Sequence, residues 1–412
     1  MNNFTSHGLS DIEVHTLLAQ EYERQNNTVS LIASENLAST QIRHSQSSVF
    51  TNKYAEGYPG KRYYGGCEIA DKLELLCQER ACKLFDAKYA NVQPHSGSQA
   101  NMAVFNALLN PGDTILGMDL SAGGHLSHGS HINFSGKVYK SIAYGLNEKE
   151  LIDMDQVKRL ALEHKPKMII AGTSAYSKII DWQLFREIAD EIGAIFLADI
   201  AHVAGLIAAK QYPNPVNIAD VLTSTTHKTL KGPRGGIILT NHENIFKKIN
   251  KGIFPGIQGG PLMHVIASKA ICFHDAISEE YQTYISNVLA NNKAICNELS
   301  KNFDIVSGGS DTHLCIVKLA DCTGKEAEAW LANHGIIVNK NMIPNDTNSP
   351  FETSGIRIGT PSCTSRGFGV EECIQLAKYI TKIIQNQNQV SETIKQEVIS
   401  LCKKYPIEQY LD

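Results

Sequence analysis

One segment of this chain holds a residue whose surroundings suit covalent chemistry. Residues 224–236 read STTHKTLKGPRGG: Lys228 follows His227 directly, threonines flank the pair, and three glycines and a proline fall within the last five positions. The run before it, residues 219–222, is apolar enough to be the end of a buried strand. A lysine delivered by a strand end into a tight, hydroxyl-rich bend is a candidate Schiff-base lysine. It must lose a proton to attack a carbonyl, and desolvation or a nearby cation eases that loss. The competing reading is a solvated loop lysine, because lysines mostly lie on surfaces.

Four other clusters bear on the choice. HSGSQ, residues 95–99, sits between a strand-like run and a helical one. Backbone amides at a helix start and two serine hydroxyls can converge on a phosphate dianion there, or the serine can simply cap the helix. DIAHVAG, residues 199–205, puts Asp199 at a strand end with His202 three residues on. That aspartate can hold a protonated pyridine nitrogen, as a pyridoxal electron sink requires, or can cap a helix; two such residues are too few for a zinc site. GGHLSHG, residues 123–129, offers His125 and His128 on a glycine loop, for stacking on a planar ring, moving protons, or plain packing. Arg357, in TSGIRIGTP, stands between two isoleucines in a strand-like run. A buried arginine calls for a carboxylate, either internal or the α-carboxylate of an amino acid held as a bidentate fork. Together these are the parts for pyridoxal phosphate acting on an amino acid.

These residues need a scaffold that brings them to one place. At 412 residues, two or three domains are expected, a large α/β unit and a smaller one fitting best. Strand-like runs at 90–93, 114–117, 168–172, 194–198, 220–223 and 236–240 alternate with helical stretches. That pattern predicts a mostly parallel sheet covered on both faces, with ligands at the carboxyl ends of its strands. The polar clusters at 96–98, 174, 199–202 and 225–228 all follow apolar runs. A first helix is predicted from a capping box at Ser10 to Glu13, with Val14, Leu17, Leu18 and Tyr22 at helical spacing. Residues 32–36, IASEN, form a short apolar run ending in Ser34 and Glu35. Residues 52–66, NKYAEGYPGKRYYGG, read as a long ordered loop, and such loops usually carry function. Helical spacing resumes over 69–85. Residues 261–300 read as helical and lead to a smaller unit with strands near 314–319 and 356–358 and a helix at 370–384. The expected division is a helical arm over 1–50, a large domain over 51–285 and a small one over 286–412.

Composition excludes more than it assigns. The chain is 42% hydrophobic and 19% charged with net charge −4, so no basic excess points to nucleic acid. No apolar run approaches the ~18 residues of a membrane span, and the start, MNNFTSHGLSD, lacks the pattern of a secretory signal. The ten cysteines show no CxxC pair. Free thiols and a cytoplasmic setting are expected.

With these residues in view, the chain resembles the serine hydroxymethyltransferase family, fold-type-I pyridoxal-phosphate enzymes of the aspartate aminotransferase fold. The resemblance runs from about residue 31 to 367, through LIASEN, TNKYAEGYPGKRYYGGCE, VQPHSGSQAN, GGHLSHG, DIAHVAGLIAA, STTHKTLKGPRGG, FPGIQGGP, NKNMIP and TSGIRIGTP. It implies an α/β fold with a large, mostly parallel-sheet domain and a smaller C-terminal α+β domain. It implies Lys228, Glu56, Asp199, His125, Tyr64, His227 and Thr225 as catalytic groups. Lys228 would carry pyridoxal 5'-phosphate as a Schiff base, Asp199 would pair with its pyridine nitrogen, and His125 would stack on its ring. Ser174 and His202 would flank its hydroxyl, with Thr225 close by. Ser96, Gly97 and Ser98 would hold its phosphate, with Tyr54, Gly259 and Gly260 reaching it from a second subunit of an obligate homodimer. Arg357, with Ser34, His202, Tyr64 and Glu56, would bind the amino acid. Glu56, also from the partner subunit, would serve as the acid–base group. Tyr63, Leu120, Gly124, Leu126 and Asn341 would take tetrahydrofolate, the cosubstrate. The implied reaction is serine plus tetrahydrofolate giving glycine, methylenetetrahydrofolate and water, with no metal.

Few positions depart from the family pattern. Leu37 replaces a frequent aromatic residue, Met342 a small hydroxyl residue, and Ser362–Cys363 an alanine–aliphatic pair. None is a catalytic group. The alternatives are a folate-independent β-hydroxy amino acid aldolase, an α-methylserine-type hydroxymethyltransferase, or a non-catalytic regulator on the same fold. Glu56, Tyr63, Tyr64 and Asn341 weigh against a purely folate-free role, and Lys228 with Asp199 against the regulator.

Overall fold

The computed structural model describes residues 11–387, 389 and 392–407. Its strands are β1 (Val29–Ser30), β2 (Gly57–Tyr58), β3 (Lys61–Arg62), β4 (Tyr89–Asn91), β5 (Thr114–Met118), β6 (Lys140–Tyr144), β7 (Met168–Gly172), β8 (Ile195–Asp199), β9 (Val221–Thr225), β10 (Gly236–Thr240), β11 (Leu314–Lys318), β12 (Ile336–Ile337), β13 (Asn339–Asn341) and β14 (Gly355–Gly359). Seven of them form one sheet in the order β4-β10-β9-β8-β7-β5-β6. Only β10 runs against its neighbours, being antiparallel to both β4 and β9, so the other six point the same way.

The continuous apolar runs are explained by burial on both faces. Met168 and Ile170 join one core with Ile115, Leu197 and Val221, while Ile169 and Ala171 join another with Leu116, Phe196 and Leu222. Successive residues of a strand face opposite sides, so a strand covered twice must be apolar throughout. The carboxyl ends of β4, β5, β7, β8 and β9 therefore share one edge, and every polar cluster predicted from sequence emerges there.

A third core gathers Ile295, Cys315, Val317, Ile356, Ile358, Leu376 and Ile380 around the sheet β11-β14-β13. Val29 and Leu31 belong to it too, because β1 pairs in parallel with β12, Val29 opposite Ile336. The helices Met263–Asp275 and Glu279–Leu299 connect it to the core that holds Leu116 and Leu222.

Several local elements differ from the sequence reading. The first helix is Ile12–Asn27, capped by Asp11, whose side chain accepts from Val14 N at 3.1 Å; Ser10 lies outside the described residues. None of that helix is fully buried, and Ile12, Val14, Leu17 and Leu18 are exposed. The 52–66 loop contains the tight hairpin β2–β3. Strand β6 was not legible: KSIAY is a half-exposed edge strand without an apolar run. All ten cysteines are free. Among the described residues no helix is long and apolar enough to cross a membrane.

Candidate active site

A cavity of about 450 Å³ opens at the carboxyl edge of the large sheet. Its walls hold Ser34, Ser96–Ser98, His125, Ser174, Asp199, His202, Thr225, His227, Lys228 and Arg357. They come from seven separate strand ends and loops, which is why they are scattered along the chain.

Lys228 lies three residues past the end of β9. Its loop is closed by backbone bonds from Thr226 N to Gly235 O (3.1 Å) and from Gly232 N to Thr226 O (2.8 Å). A Cβ on Gly232 would lie 2.5 Å from Cys272 Sγ, so only glycine permits the loop to pack here. Burial pulls the Lys228 ammonium down to about 8; Asp199 opposes this, and Arg357 and Arg234 add to it. Beside it, burial and the charges of Arg234 and Lys228 pull His227 down to about 3. Asn36 locks the 34–36 segment onto the loop, donating to Lys228 O at 2.8 Å while accepting from Ser365 Oγ at 2.6 Å.

Asp199 ends β8. Oδ2 takes His128 Nε2 at 2.9 Å and Asn101 Nδ2 at 2.9 Å, and Oδ1 takes Ala201 N at 3.1 Å. Burial alone would raise its pKa, but the hydrogen bond and charge of His128, the charge of His125 and the Asn101 bond outweigh it and hold the carboxyl well below the usual range. Asn101 is set in turn by Thr223 Oγ1, which donates to its Oδ1 at 2.6 Å. His125 Nδ1 accepts from Ser127 N at 3.2 Å and meets Ser127 Oγ at 2.6 Å. Burial pulls His125 to about 4, so it presents a neutral ring near pH 7. His202 stacks on His313 with centroids 5.4 Å apart and Nδ1 3.2 Å from His313 Nε2. Burial and the nearby Lys228 and Arg357 charges keep it neutral as well.

Ser96 caps the helix Gly97–Leu108 and accepts from Gln99 N at 3.2 Å. A Cβ on Gly97 would stand 2.6 Å from Thr225 Cγ2. The bare backbone therefore lets the helix start sit against the Lys228 strand, leaving amides and two hydroxyls facing the cavity. Ser174 is placed by the bond from its N to Gly123 O at 2.7 Å, which also brings the His125 loop alongside.

Arg357 is the most telling residue. It is buried on β14, Nε donating to Asn339 Oδ1 at 3.1 Å and one terminal nitrogen to Ser174 O at 2.6 Å. No carboxylate among the described residues pairs with it, and burial draws its pKa down to about 10. Burying a charge costs several kcal/mol, and two neutral acceptors offset only about 1.5–3 kcal/mol each. The remaining face of the fork points to an acid from outside the chain.

A second cluster lies apart from this cavity. Tyr54 Oη donates to Glu56 Oε1 at 3.3 Å, Tyr54 and Tyr64 meet edge to face at 5.3 Å, and Tyr63 meets Phe254 at 5.4 Å. Cβ atoms on Gly259 and Gly260 would lie 3.2 Å from Glu56 Oε1 and 3.3 Å from Tyr54 Cε1, so the glycines belong to the same patch. Arg62 braces it, donating to Ala55 O and Gly57 O on either side of Glu56 and pairing with Asp71 (2.8 Å) and buried Glu74 (2.7 Å). Gln258 ties the glycines to the cradle: it takes His95 N at 3.1 Å and donates to Gln93 O at 3.0 Å. Tyr54, Tyr63 and Tyr64 are exposed, and none of this cluster lines the Lys228 cavity. Leu120, Gly124, Leu126 and Asn341 do not line it either; Leu120 and Leu126 are exposed, and Asn341 is half-buried on β13, donating to Met342 O at 2.7 Å. The sequence reading gave no role to Asn36, Asn101 or His313. Asn36 and Asn101 were within reach, since they close the quoted motifs LIASEN and VQPHSGSQAN.

The donor set fits a planar phosphorylated carbonyl compound: a lysine of lowered pKa, an ionised carboxylate, a neutral imidazole and an anion cradle around one cavity. On this sheet topology, fold and site define a fold-type-I enzyme of the pyridoxal-phosphate class. A family model described as serine hydroxymethyltransferase matches residues 8–380. Curated serine hydroxymethyltransferases are 55% identical in Acinetobacter baumannii, over 96% of this chain and 97% of theirs, and 56% identical in Lactobacillus acidophilus, over 95% and 97%. The chain belongs to the serine hydroxymethyltransferase family.

Proposed function

We propose that the chain interconverts L-serine plus tetrahydrofolate with glycine plus 5,10-methylenetetrahydrofolate, using pyridoxal 5'-phosphate. The observation that carries this reading is Arg357, a buried guanidinium with no carboxylate partner among the described residues, in the same cavity as Lys228 and Asp199. When bound, the cofactor supplies an electron sink for the carbanion left by breaking Cα–Cβ. The chain's residues do the rest. Residues 96–98 bind the phosphate, Asp199 holds a proton at the pyridine nitrogen, and His125 supports the ring. Ser174 and His202 flank the ring hydroxyl, and Thr225 packs beside it. Arg357 takes the substrate carboxylate as a fork, with Ser34 and His202 beside it. Lys228, poised near neutral pH, accepts and releases protons at Nζ, with His227 at its side.

Serine cleavage and glycine α-proton exchange, each with and without tetrahydrofolate, test the assignment. Serine cleavage should depend strongly on the folate. Cleavage of β-hydroxy amino acids at the same rate without it would move the assignment to a folate-independent aldolase.

Glu56, Tyr54, Tyr63, Tyr64, Gly259 and Gly260 act on the site of a second copy, in a homodimer. The reading is supported by their clustering away from their own Lys228 cavity. Glu56 is the acid–base group near the serine hydroxyl, and Tyr63, Leu120, Gly124, Leu126 and Asn341 take the folate. The working domain map divides the chain near residues 50 and 285. Ten free cysteines favour a reducing, cytoplasmic setting. Mixing inactive Lys228→Gln with inactive Glu56→Gln subunits should restore activity on exchange. Each mixed dimer has one site with both lesions and one with neither, so recovery should approach about a quarter of wild type. If exchange is verified by mass-tagged subunits and no activity returns, Glu56 serves its own chain.

A further inference from the structure

One buried charge lies behind the 96–98 cradle with no part in the steps above. Lys269, on the helix Met263–Asp275, is 1% exposed. Its Nζ donates to Val92 O at 2.7 Å, Pro94 O at 3.0 Å and Gly236 O at 2.9 Å. An ammonium has three N–H bonds, so all are used, and every partner is a backbone carbonyl.

The three carbonyls belong to two separate pieces of the site, the link from β4 to the cradle and the start of β10. Val92 follows β4, Pro94 stands two residues before the cradle, and Gly236 opens β10. Gly236 N donates to Pro94 O at 3.0 Å, and a Cβ on Gly236 would lie 2.4 Å from Ser96 O. A Cβ on Gly235 would lie 2.5 Å from Lys269 Cε, and Gly235 O accepts from Thr226 N at 3.1 Å, inside the Lys228 loop. Gly235 therefore leaves room for the Lys269 stem, and Gly236 lets the start of β10 pack against the backbone of the cradle. Three carbonyl oxygens aimed at one point repel one another unless a cation sits between them.

We propose that Lys269 is a positioning residue for anion capture: its ammonium is a tethered structural cation that pins the cradle at residues 96–98 against the loop bearing Lys228. The inference rests on the reading of that cradle as the phosphate site of pyridoxal phosphate. Cutting the side chain back to alanine leaves a hole lined by three carbonyl oxygens, sized for a small monovalent cation.

The test titrates apo protein with pyridoxal phosphate and, separately, with pyridoxal, in sodium buffer and with added ammonium or methylammonium chloride. Lys269→Ala should lose about tenfold or more in pyridoxal-phosphate affinity while pyridoxal affinity moves by less than about threefold. Ammonium or methylammonium should restore the lost affinity with saturation, and tetramethylammonium, too large for the hole, should not. Lys269→Met keeps the stem and removes the charge, so it should bind pyridoxal phosphate weakly and resist rescue. A folded Lys269→Met with wild-type affinity overturns the proposal, whether or not the alanine variant folds. Equal losses for both ligands without any response to ammonium also overturn it, leaving Lys269 as packing alone. Wild type that holds no pyridoxal phosphate in the same titration would instead sink the functional reading, which keeps the two failures distinct.

Discussion

Lys228→Gln should keep its cofactor and lose turnover by on the order of 10³-fold or more, as enzymes do when the residue making the covalent bond is removed. The two halves of this result have separate causes. Retention follows from the residues at 96–98, Asp199 and His125, which line the cavity independently of the amine. Loss follows because glutamine offers no titratable nitrogen at that position. The same lysine sets a pH dependence. Burial, reinforced by Arg357 and Arg234 against the pull of Asp199, brings its pKa to about 8. Only the neutral amine attacks a carbonyl. Capture of pyridoxal phosphate by the apo protein should therefore rise with pH and level off above about 8, rather than climbing towards the ~10.4 of a free lysine. Stopped-flow absorbance against pH measures this. Borohydride reduction of the wild-type holoenzyme followed by peptide mapping locates the bond, and a label on any other lysine ends the assignment.

Asp199→Asn should fold normally and lose roughly 10²–10³ in rate or more, the worth of an electrostatic partner aimed at a developing charge. The substitution is nearly isosteric. Its amide oxygen can still accept from one of the two donors on Oδ2, His128 Nε2 and Asn101 Nδ2. What disappears is the negative charge that those donors hold ionised. Circular dichroism should match wild type while serine cleavage and glycine proton exchange both fall. Near-normal rates in the variant would show that the carboxylate serves the helix that follows it and not the chemistry.

Much of this site could be read before the fold was seen because its parts obey a local rule. Lys228, Asp199, Ser174 and residues 96–98 each follow an apolar run, and in an open α/β sheet such positions share an edge. The groups that hold those parts obey no local rule. Asn101 lies on the buried face of a helix and His313 in a loop before β11, and nothing near either residue announces a tertiary partner. Lys269 looks like a surface lysine on an ordinary helix until three carbonyls are found around it. Strand β6 escaped because an edge strand needs no continuous apolar face, and the first cap was misplaced by one residue because Ser10 and Asp11 are both good caps. The likeness to a family supplied roles for Glu56 and the tyrosines that spacing alone could not.

The pairing of β1 with β12 has a consequence for the order in which the molecule is made. Val29 finds Ile336 about 300 residues later, Leu31 O accepts from Gly359 N at 2.8 Å, and Asn36 is held by Ser365. A ribosome delivers the first of these long before the second. Until residues 336–365 are made, the segment carrying Ser34 has its contact with the Lys228 loop, Asn36 to Lys228 O, but lacks its partners at Ile336, Gly359 and Ser365. A late stretch is thus what completes the seating of an early one, and a half-made chain carries the Lys228 amine without the buried Arg357 beside it.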